Sequence, residues 1–92
     1  MDDEARRMQA TEEWLDQVCA ALAIDRAAVA AVTPDLLTMV AEVAHGPARP
    51  GAPLTAFAVG LAAGRTGSPD LPADVAAALS RIDPLLEPYR TT

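Results

Sequence analysis

The sequence predicts an all-α protein, a small helical bundle of four to five short helices with no β-sheet. Alanine, the residue with the highest helix propensity, is concentrated in residues 20–31, 56–63 and 73–78. Apolar residues also recur three and four positions apart, which is the spacing of one helix face. No segment alternates apolar and polar residues as a half-buried strand does.

The length and the alanine content limit how much core this chain builds. A chain of 92 residues favours a single domain, 1–92, because chains this short rarely contain two cores. Alanine buries little apolar area per residue, so a modest stability is expected. A partner protein or a second copy would therefore help to complete the core.

The first predicted helix begins at the acidic residues 2–4, since carboxylates stabilise the positive end of a helix. The apolar face of this helix is predicted to contain Trp14, Leu15, Val18, Cys19 and Leu22. The single cysteine excludes an internal disulfide. Within this apolar stretch Cys19 is interpreted as a small buried side chain, with a reactive thiol as the alternative.

Capping and proline signals divide the next part of the chain into two predicted helices. Asp25 caps a short helix over residues 26–31. Thr33 and Pro34 mark the start of another helix, because a capping hydroxyl followed by proline is typical of a helix N-terminus. That helix is expected to end at Gly46, in the left-handed conformation that glycine adopts easily.

Prolines at 47, 50 and 53 predict a rigid turn, and Pro53 opens a helix over residues 54–65. The predicted core side of this helix consists of Leu54, Phe57, Ala58 and Leu61. Gly60 lies in the helix interior at a cost of about 1 kcal/mol relative to alanine. This cost predicts that Gly60 permits a close helix crossing.

The last predicted helix covers residues 72–83. Its inner face consists of Val75, Leu79 and Ile82. Pro84 and Pro88 are expected to break this helix, because proline removes a backbone donor and clashes with the preceding turn. Residues 85–90 are then expected to add one helical turn that packs Leu85, Leu86 or Tyr89 on the body of the protein.

The net charge of −6 argues against two classes of partner. Nucleic acids and anionic membrane surfaces both require clustered positive charge. The longest apolar stretch, residues 53–64, is shorter than the roughly 20 residues that span a bilayer. No basic and apolar leader follows the first residue, so the predicted location is cytoplasmic.

The candidate site lies in residues 43–69, which contain no acidic side chain. This window includes the N-terminus of the predicted Pro53 helix, whose free N–H groups favour an anion. The candidate ligand- or partner-binding residues are His45, Gly46, Arg49, Pro50, Thr55 and Arg65. These residues suit a phosphate, a carboxylate or an acidic side chain of a partner.

A structural interpretation of the same residues stays open beside the binding interpretation. In the last turn of its helix, His45 is placed to bond to backbone carbonyls and to favour the helix dipole. Arg49 is placed to fix the turn by binding carbonyls or Glu42. Arg65 lies near a helix C-terminus and suits the dipole without any ligand.

Residue patterns typical of catalysis or metal binding are missing. The single histidine and the single cysteine fall on different predicted helices, with no third group to orient them. Gly60 and Gly64 lie inside a helix and lack the lysine of a phosphate-binding loop. Zinc spacing is absent, and the acidic face of the first helix is interpreted as solvated surface. No catalytic residue, metal ligand or cofactor is therefore predicted, and the chain is expected not to be an enzyme.

Residues 14–22, 43–50 and 52–64 together resemble a small actinobacterial domain of unknown function. The most specific stretch is His-Gly-x-x-Arg-Pro-x-x-Pro-Leu-Thr at residues 45–55. The resemblance covers about residues 13–67. Domains of this kind occur alone and also fused behind MobA-like molybdenum cofactor guanylyltransferases.

The resemblance implies a non-catalytic accessory or protein-interaction module in molybdenum cofactor biosynthesis or molybdoenzyme maturation. The implied partner is a protein of that pathway, with a homodimer as the other possibility. Nothing in the 92 residues forms the α/β sheet of the transferase, so transferase activity is not implied. The alternative function is binding of a small anion, nucleotide or pterin phosphate at His45, Arg49 and the N-terminus of the Pro53 helix.

Overall fold

A computed structural model describes residues 2–90 and contains four helices in this range. They are α1 (Asp3–Leu22), α2 (Arg26–His45), α3 (Gly51–Gly64) and α4 (Leu71–Arg90). The described part of the chain contains no strand, so the all-α prediction is confirmed. The chain separates into two compact units, an N-terminal unit (Met1–Ala30) and a C-terminal unit (Ala31–Thr92).

The predicted start of α1 is confirmed by a side-chain cap. The Asp2 carboxylate accepts a hydrogen bond of 2.7 Å from the Ala5 N–H, and acidic residues occupy the first turn. The helix ends at Ala23, which adopts a left-handed conformation with φ of 56°. The Ile24 N–H then donates to the Cys19 carbonyl at 2.9 Å and closes the helix end.

Only one side chain of the predicted apolar face of α1 is buried. Cys19 is buried, as predicted, and Leu15 and Val18 are half-buried. Trp14 and Leu22 are exposed, with 62% and 61% of their surface accessible. The prediction of a fully inward face is therefore wrong for these two residues.

The predicted boundary between two helices at Thr33 and Pro34 does not exist, because α2 runs through it. Asp25 does cap the helix start, since its carboxylate accepts from the Ala27 N–H at 3.1 Å. The buried residues Val32, Met39 and Val43 lie on one helical stripe that spans Pro34. A break at Pro34 would turn Val32 away from the other two, so burial of this stripe offsets the cost of the proline.

Helix α3 begins at Gly51, three residues before the predicted start. Pro53 is therefore the third helical residue, a position where no intrahelical N–H is needed. The buried side chains of α3 are Ala52, Val59 and Ala63. The predicted core residues Leu54, Phe57, Ala58 and Leu61 are all exposed.

The physical reason for this error is the composition of α3, which has no charged residue on any face. The helical period therefore marks no single side as the inner one. Helix α3 packs closely against α4, and small side chains such as Ala52 and Ala63 allow that approach better than leucine or phenylalanine. The predicted crossing at Gly60 is absent, since a Cβ placed there has no heavy atom within 4 Å.

Helix α4 continues through Pro84 and Pro88 to Arg90, so the predicted break does not occur. The predicted inner face is confirmed: Val75 is buried, and Leu79 and Ile82 are half-buried against the core. Leu86 continues the same stripe beyond Pro84 and is buried. The reason is the one that keeps α2 intact, since a break would lose a buried leucine.

The core of the C-terminal unit is small and aliphatic. It consists of the buried residues Val32, Met39, Val43, Ala52, Val59, Ala63, Val75 and Leu86. No polar or charged residue among those described is buried. The core therefore depends on α2, α3 and α4, which also position the candidate site.

Helix α2, and not residues 53–64, is the longest apolar segment of the described chain. With 20 residues and a mean hydropathy of 1.5, it is long and apolar enough to cross a membrane by length and composition alone. The sequence prediction missed it because the expected break at Pro34 divided the apolar stretch. A single such helix is weak evidence, since core helices of soluble proteins pass the same test.

Candidate functional site

The corner between α2 and α3, residues 46–50, is held by its own backbone. The Gly46 N–H donates to the Glu42 carbonyl at 2.9 Å, and the Ala48 N–H donates to the Val43 carbonyl at 3.3 Å. At the start of α3, the Gly51 and Ala52 N–H groups donate to the carbonyls of Ala48 and Arg49. The predicted rigid turn is thus a sequence of local hydrogen bonds between two helix ends.

Gly46 is required for a reason other than the predicted one. It does not adopt the left-handed conformation, which among the described glycines only Gly67 does. Instead, a Cβ at Gly46 would lie 2.9 Å from the Glu42 carbonyl oxygen and 3.0 Å from Cβ of Tyr89. Glycine at this position therefore allows the end of α4 to approach the corner.

His45 follows the structural interpretation. Its Nδ1 lies 3.2 Å from the carbonyl oxygen of Ala41, so Nδ1 carries the proton and donates it to the last turn of α2. The ring is exposed, which leaves Nε2 directed away from this hydrogen bond. His45 thus stabilises a helix end, and its second nitrogen stays available to a partner.

The start of α3 offers less to an anion than the sequence suggests. The Gly51 and Ala52 amides already donate to carbonyls, and Pro53 has no N–H. The Thr55 hydroxyl donates to the Gly51 carbonyl at 2.8 Å and is half-buried. The first three residues of α3 and the Thr55 hydroxyl therefore offer no free hydrogen-bond donor to a ligand.

The two candidate arginines lie at opposite ends of α3, and their side chains have no partner among the described residues. Arg49 precedes the helix and Arg65 follows its last residue, and both are exposed. Within residues 2–90 neither guanidinium has a hydrogen bond or an ion pair. The suggested pairing of Arg49 with Glu42 does not occur, because Glu42 binds Arg90. Pro50, the remaining candidate, is the N-cap of α3 and provides no side-chain hydrogen bond.

Arg90 is a residue of this region that the sequence did not reveal. Its guanidinium contacts Glu42 and Asp83 at 2.6 Å each and Glu87 at 3.2 Å. The hydrogen bond and then the charge of Arg90 hold the pKa of Asp83 below its ordinary value. In a continuous helix, Glu87 and Arg90 are three residues apart and are expected to pair. The sequence did not predict this pair, because Pro84 and Pro88 were expected to break the helix. The contact with Glu42 depends on the tertiary fold.

Two cavities lie beside these groups within the C-terminal unit. The smaller one, of about 180 Å³, is lined by Glu42, His45, Gly46, Leu86, Tyr89 and Arg90. The larger one, of about 460 Å³, is an open groove between α2 and α4. Its rim carries the carboxylates of Asp35, Glu42 and Asp83, and no cluster of the described residues is arranged to hold a metal ion.

An exposed apolar surface on α3 is the other feature that sequence reasoning missed. We define the α3 face as Leu54, Phe57, Ala58 and Leu61. Its three large side chains are 71%, 70% and 51% exposed in that order. Arg65 continues the row one turn beyond Leu61, because residues four apart share a helix face. The signal for this surface was present in the sequence, where it was interpreted as core.

A family model described as a domain of unknown function (DUF6457) matches residues 6–92. The chain belongs to this family. The match includes the region of resemblance, residues 13–67, and extends through α4. Comparison with curated proteins and with solved structures gave no match.

In this DUF6457 domain the six candidate residues divide into two groups. His45, Gly46 and Thr55 make local contacts that build the corner and the start of α3, where Pro50 is the N-cap residue. The side chains of Arg49 and Arg65 have no hydrogen bond or ion pair within residues 2–90, and the two residues lie at opposite ends of α3. The arrangement is therefore suited to binding another macromolecule through α3.

Proposed function

We propose that this DUF6457 domain is a non-catalytic protein-interaction module that binds an acidic amphipathic helix on the α3 face. The pathway we propose is molybdenum cofactor biosynthesis or molybdoenzyme maturation. The observation that carries the binding proposal is a row of exposed apolar side chains with an unpaired arginine beyond each end of the helix.

The apolar part of the argument concerns the exposed area of α3. Leu54 and Phe57 are more than two-thirds exposed although they lie in the most apolar segment of the chain. Apolar residues scattered singly on a surface are ordinary, but contiguous exposed apolar patches are often functional on soluble proteins. Leu54, Phe57 and Leu61 recur with helical spacing and form one such contiguous row.

The charges around this row specify the chemistry of the partner. No carboxylate occurs in residues 43–69, so both arginines are uncompensated by neighbours in sequence. A second copy is a poor occupant, because pairing two α3 faces would bring Arg49 or Arg65 close to another arginine. A partner helix with apolar residues on one face and carboxylates near its ends complements both features.

The pathway assignment has a separate basis. It rests on the similarity of residues 13–67 to domains fused behind MobA-like guanylyltransferases. A fused arrangement places such a domain permanently beside the transferase. A domain that acts beside such a transferase needs a docking surface, and the α3 face is suited to that purpose.

Anion binding receives less support from the contacts at the start of α3. The Thr55 hydroxyl and two amides are already bonded, so Arg49 is the group of this corner that is left to bind a phosphate. We therefore rank this function second. A thermal-shift measurement with GTP and inorganic phosphate tests it, since a ligand of the folded state raises the melting temperature.

The test of the proposed function is a calorimetric titration of the full chain with a MobA-like molybdenum cofactor guanylyltransferase. Phe57→Ser and Arg65→Glu are expected to weaken binding at least about tenfold, as truncation of a buried interface anchor does. Leu85→Ser is the matched control, because Leu85 is also 70% exposed but lies on α4. Its affinity is expected to equal that of the wild type.

Two results would overturn different parts of this proposal. If the wild type does not bind the transferase, the assignment to that partner is wrong. If binding occurs but Phe57→Ser leaves it unchanged, or Leu85→Ser weakens it equally, the α3 face is not the docking surface.

A further inference from the structure

We propose that the groove between α2 and α4 is a second docking site, which binds a basic amphipathic helix of a partner protein. The α2–α4 groove lies within the C-terminal unit and is lined by Asp35, Met39 and Glu42 on α2 and by Leu79, Asp83 and Leu86 on α4. Its location differs from that of the α3 face, so the inference does not depend on the proposed function. Its basis is an apolar floor between two acidic ends.

The floor of the α2–α4 groove is apolar and belongs to the core. Met39 and Leu86 line the groove from opposite helices and are buried, and Leu79 lines it and is half-buried. The groove has a volume of about 460 Å³. Binding sites for ligands commonly measure roughly 300–1,000 Å³ and are mostly apolar. The groove is therefore a preformed surface on which apolar side chains of a partner would be covered.

The length of the groove suits two turns of a partner helix. On α2 its lining extends from Asp35 to Glu42, which are seven residues and about 10 Å apart along the helix axis. Seven residues are two helical turns, so both carboxylates border the same side of α2. A helix lying along the groove would place apolar anchors one turn apart on the floor.

The carboxylate at the first end of the groove has no counter-charge. Asp35 is exposed, and its side chain has no ion pair or hydrogen bond with a residue in the range 2–90. The two hydroxyls that line the groove, Thr38 and Ser80, donate to carbonyls of their own helices. Asp35 is therefore free to bind a cation of a partner.

At the other end of the groove three carboxylates share one guanidinium. Arg90 contacts Glu42, Asp83 and Glu87, so the negative charge there exceeds the positive charge. The C-termini of α2 and α4 also meet at this end, and helix C-termini favour cations. Arg90 holds the two helices together without neutralising the cluster, so this end favours a second cation.

These features specify the chemistry of the occupant. A helix with apolar residues on one face and a lysine or arginine near each end of that face complements the floor and both ends of the groove. Carboxylates of an acidic helix and phosphates of a nucleic acid would be repelled by the same ends. The α2–α4 groove and the α3 face therefore select partner segments of opposite charge.

The experiment is an NMR titration of the isotope-labelled full chain with a synthetic alanine-based helical peptide. The peptide carries two leucines one turn apart, flanked on the same face by an arginine on each side. The amide signals of Asp35, Leu79 and Asp83 are expected to shift and to saturate below about 1 mM peptide. A control peptide with glutamates in place of the arginines keeps the apolar face and is expected not to bind.

Two pairs of exposed residues provide matched variants. Ala76 lines the groove and Ala77 does not. Ala76→Trp is expected to fill the groove and to raise the dissociation constant of the basic peptide at least about tenfold, whereas Ala77→Trp leaves it unchanged. Asp35→Lys is expected to raise it by roughly tenfold, and Glu12→Lys makes the same charge change on α1 without effect. Circular dichroism should show a wild-type helix content in all four variants.

The possible outcomes separate this inference from the proposed function. Absence of saturable binding by the basic peptide, or equal binding of the acidic peptide, overturns the inference. Equal weakening by Ala77→Trp or Glu12→Lys excludes the groove as the site, and full displacement of the peptide by equimolar spermidine shows a site for small cations instead. Phe57→Ser, which tests the α3 face, is expected to leave peptide binding unchanged. If it weakens that binding, the basic helix docks on α3.

Discussion

At the scale of single residues, close approach and charge pairing decide the shape of the corner between α2 and α3. Gly46 lies against Tyr89, and Arg90 binds Glu42 one turn earlier on α2. Tyr89 and Arg90, the two residues that contact the corner, both lie in the last turn of α4. The end of α4 therefore contributes as much to this region as the prolines that mark it in the sequence.

Gly46→Ala tests that contact. The added Cβ would lie 2.9 Å from the Glu42 carbonyl oxygen and 3.0 Å from Cβ of Tyr89, which is closer than such atoms pack. Since the carbonyl is backbone, relief requires a shift of the corner or of α4. We expect the free energy of unfolding to fall by about 1–3 kcal/mol, measured by urea denaturation.

Gly60→Ala is the matched control for this substitution. A Cβ at Gly60 has no heavy atom within 4 Å, and the residue lies in a helix interior. The variant is therefore expected to be more stable than the wild type by roughly 0.5–1 kcal/mol. A destabilised Gly60→Ala would show that a close crossing at Gly60 exists after all.

The candidate site was predictable from the sequence only where contacts are local. The bond of His45 to a carbonyl of its own helix was one of the two interpretations that the residues allowed. The sequence suggested that Arg49 pairs with Glu42. In the structure Glu42 instead binds Arg90, which lies 48 residues further along the chain. Such a long-range competition has no signature in spacing, so the Arg90 contact could not be found from the sequence.

At the scale of elements, continuity of a buried stripe outweighs the presence of proline. Pro34 interrupts backbone hydrogen bonding in α2, yet Val32 stays on the stripe of Met39 and Val43. In α4 the stripe of Val75 and Leu86 likewise continues through Pro84. A proline inside a helix costs about 3 kcal/mol, and burial of two or three core side chains is of the same size or larger.

The inner face of α3 is tested by a pair of substitutions two residues apart. Val59 is 2% exposed and Phe57 is 70% exposed. Val59→Ala is expected to lower the free energy of unfolding by about 1–2 kcal/mol, because it leaves a cavity in the core. Phe57→Ser, although chemically more severe, is expected to change it by less than about 0.5 kcal/mol.

If Phe57→Ser lowers the free energy of unfolding more than Val59→Ala does, the result would support the core side that the sequence predicted for α3. In that case Phe57 would be a core residue, and the α3 face would be unavailable to a partner. The Phe57→Ser protein is also used in the binding titration. If its stability equals that of the wild type, a loss of affinity is not caused by unfolding.

At the scale of the whole molecule, burial is unevenly distributed along the chain. The core cluster draws all of its residues from the C-terminal unit, Ala31–Thr92. Among residues 2–30, the part of the N-terminal unit (Met1–Ala30) that the structure describes, only Cys19 is buried. The two units therefore differ in what holds them folded.

This difference predicts the behaviour of two fragments. Residues 31–92 are expected to unfold cooperatively in urea, with a lower midpoint than the full chain, because a core of about 60 residues is small. Residues 1–30, at micromolar concentration, are expected to be mostly non-helical by circular dichroism, since they lack tertiary burial. A non-cooperative fragment 31–92 would show that its core requires the first thirty residues.

The sequence by itself determined the fold class, the start of α1 at the acidic residues 2–4 and the inner face of α4 from Val75 to Ile82. These features depend on residues within a few positions of one another, so propensity, capping and helical period are sufficient to predict them. The tertiary structure decided whether a proline ends a helix and which side of α3 is buried. Both depend on free energy gained from distant residues, and an apolar helix or a proline looks the same in sequence whether or not that energy is available.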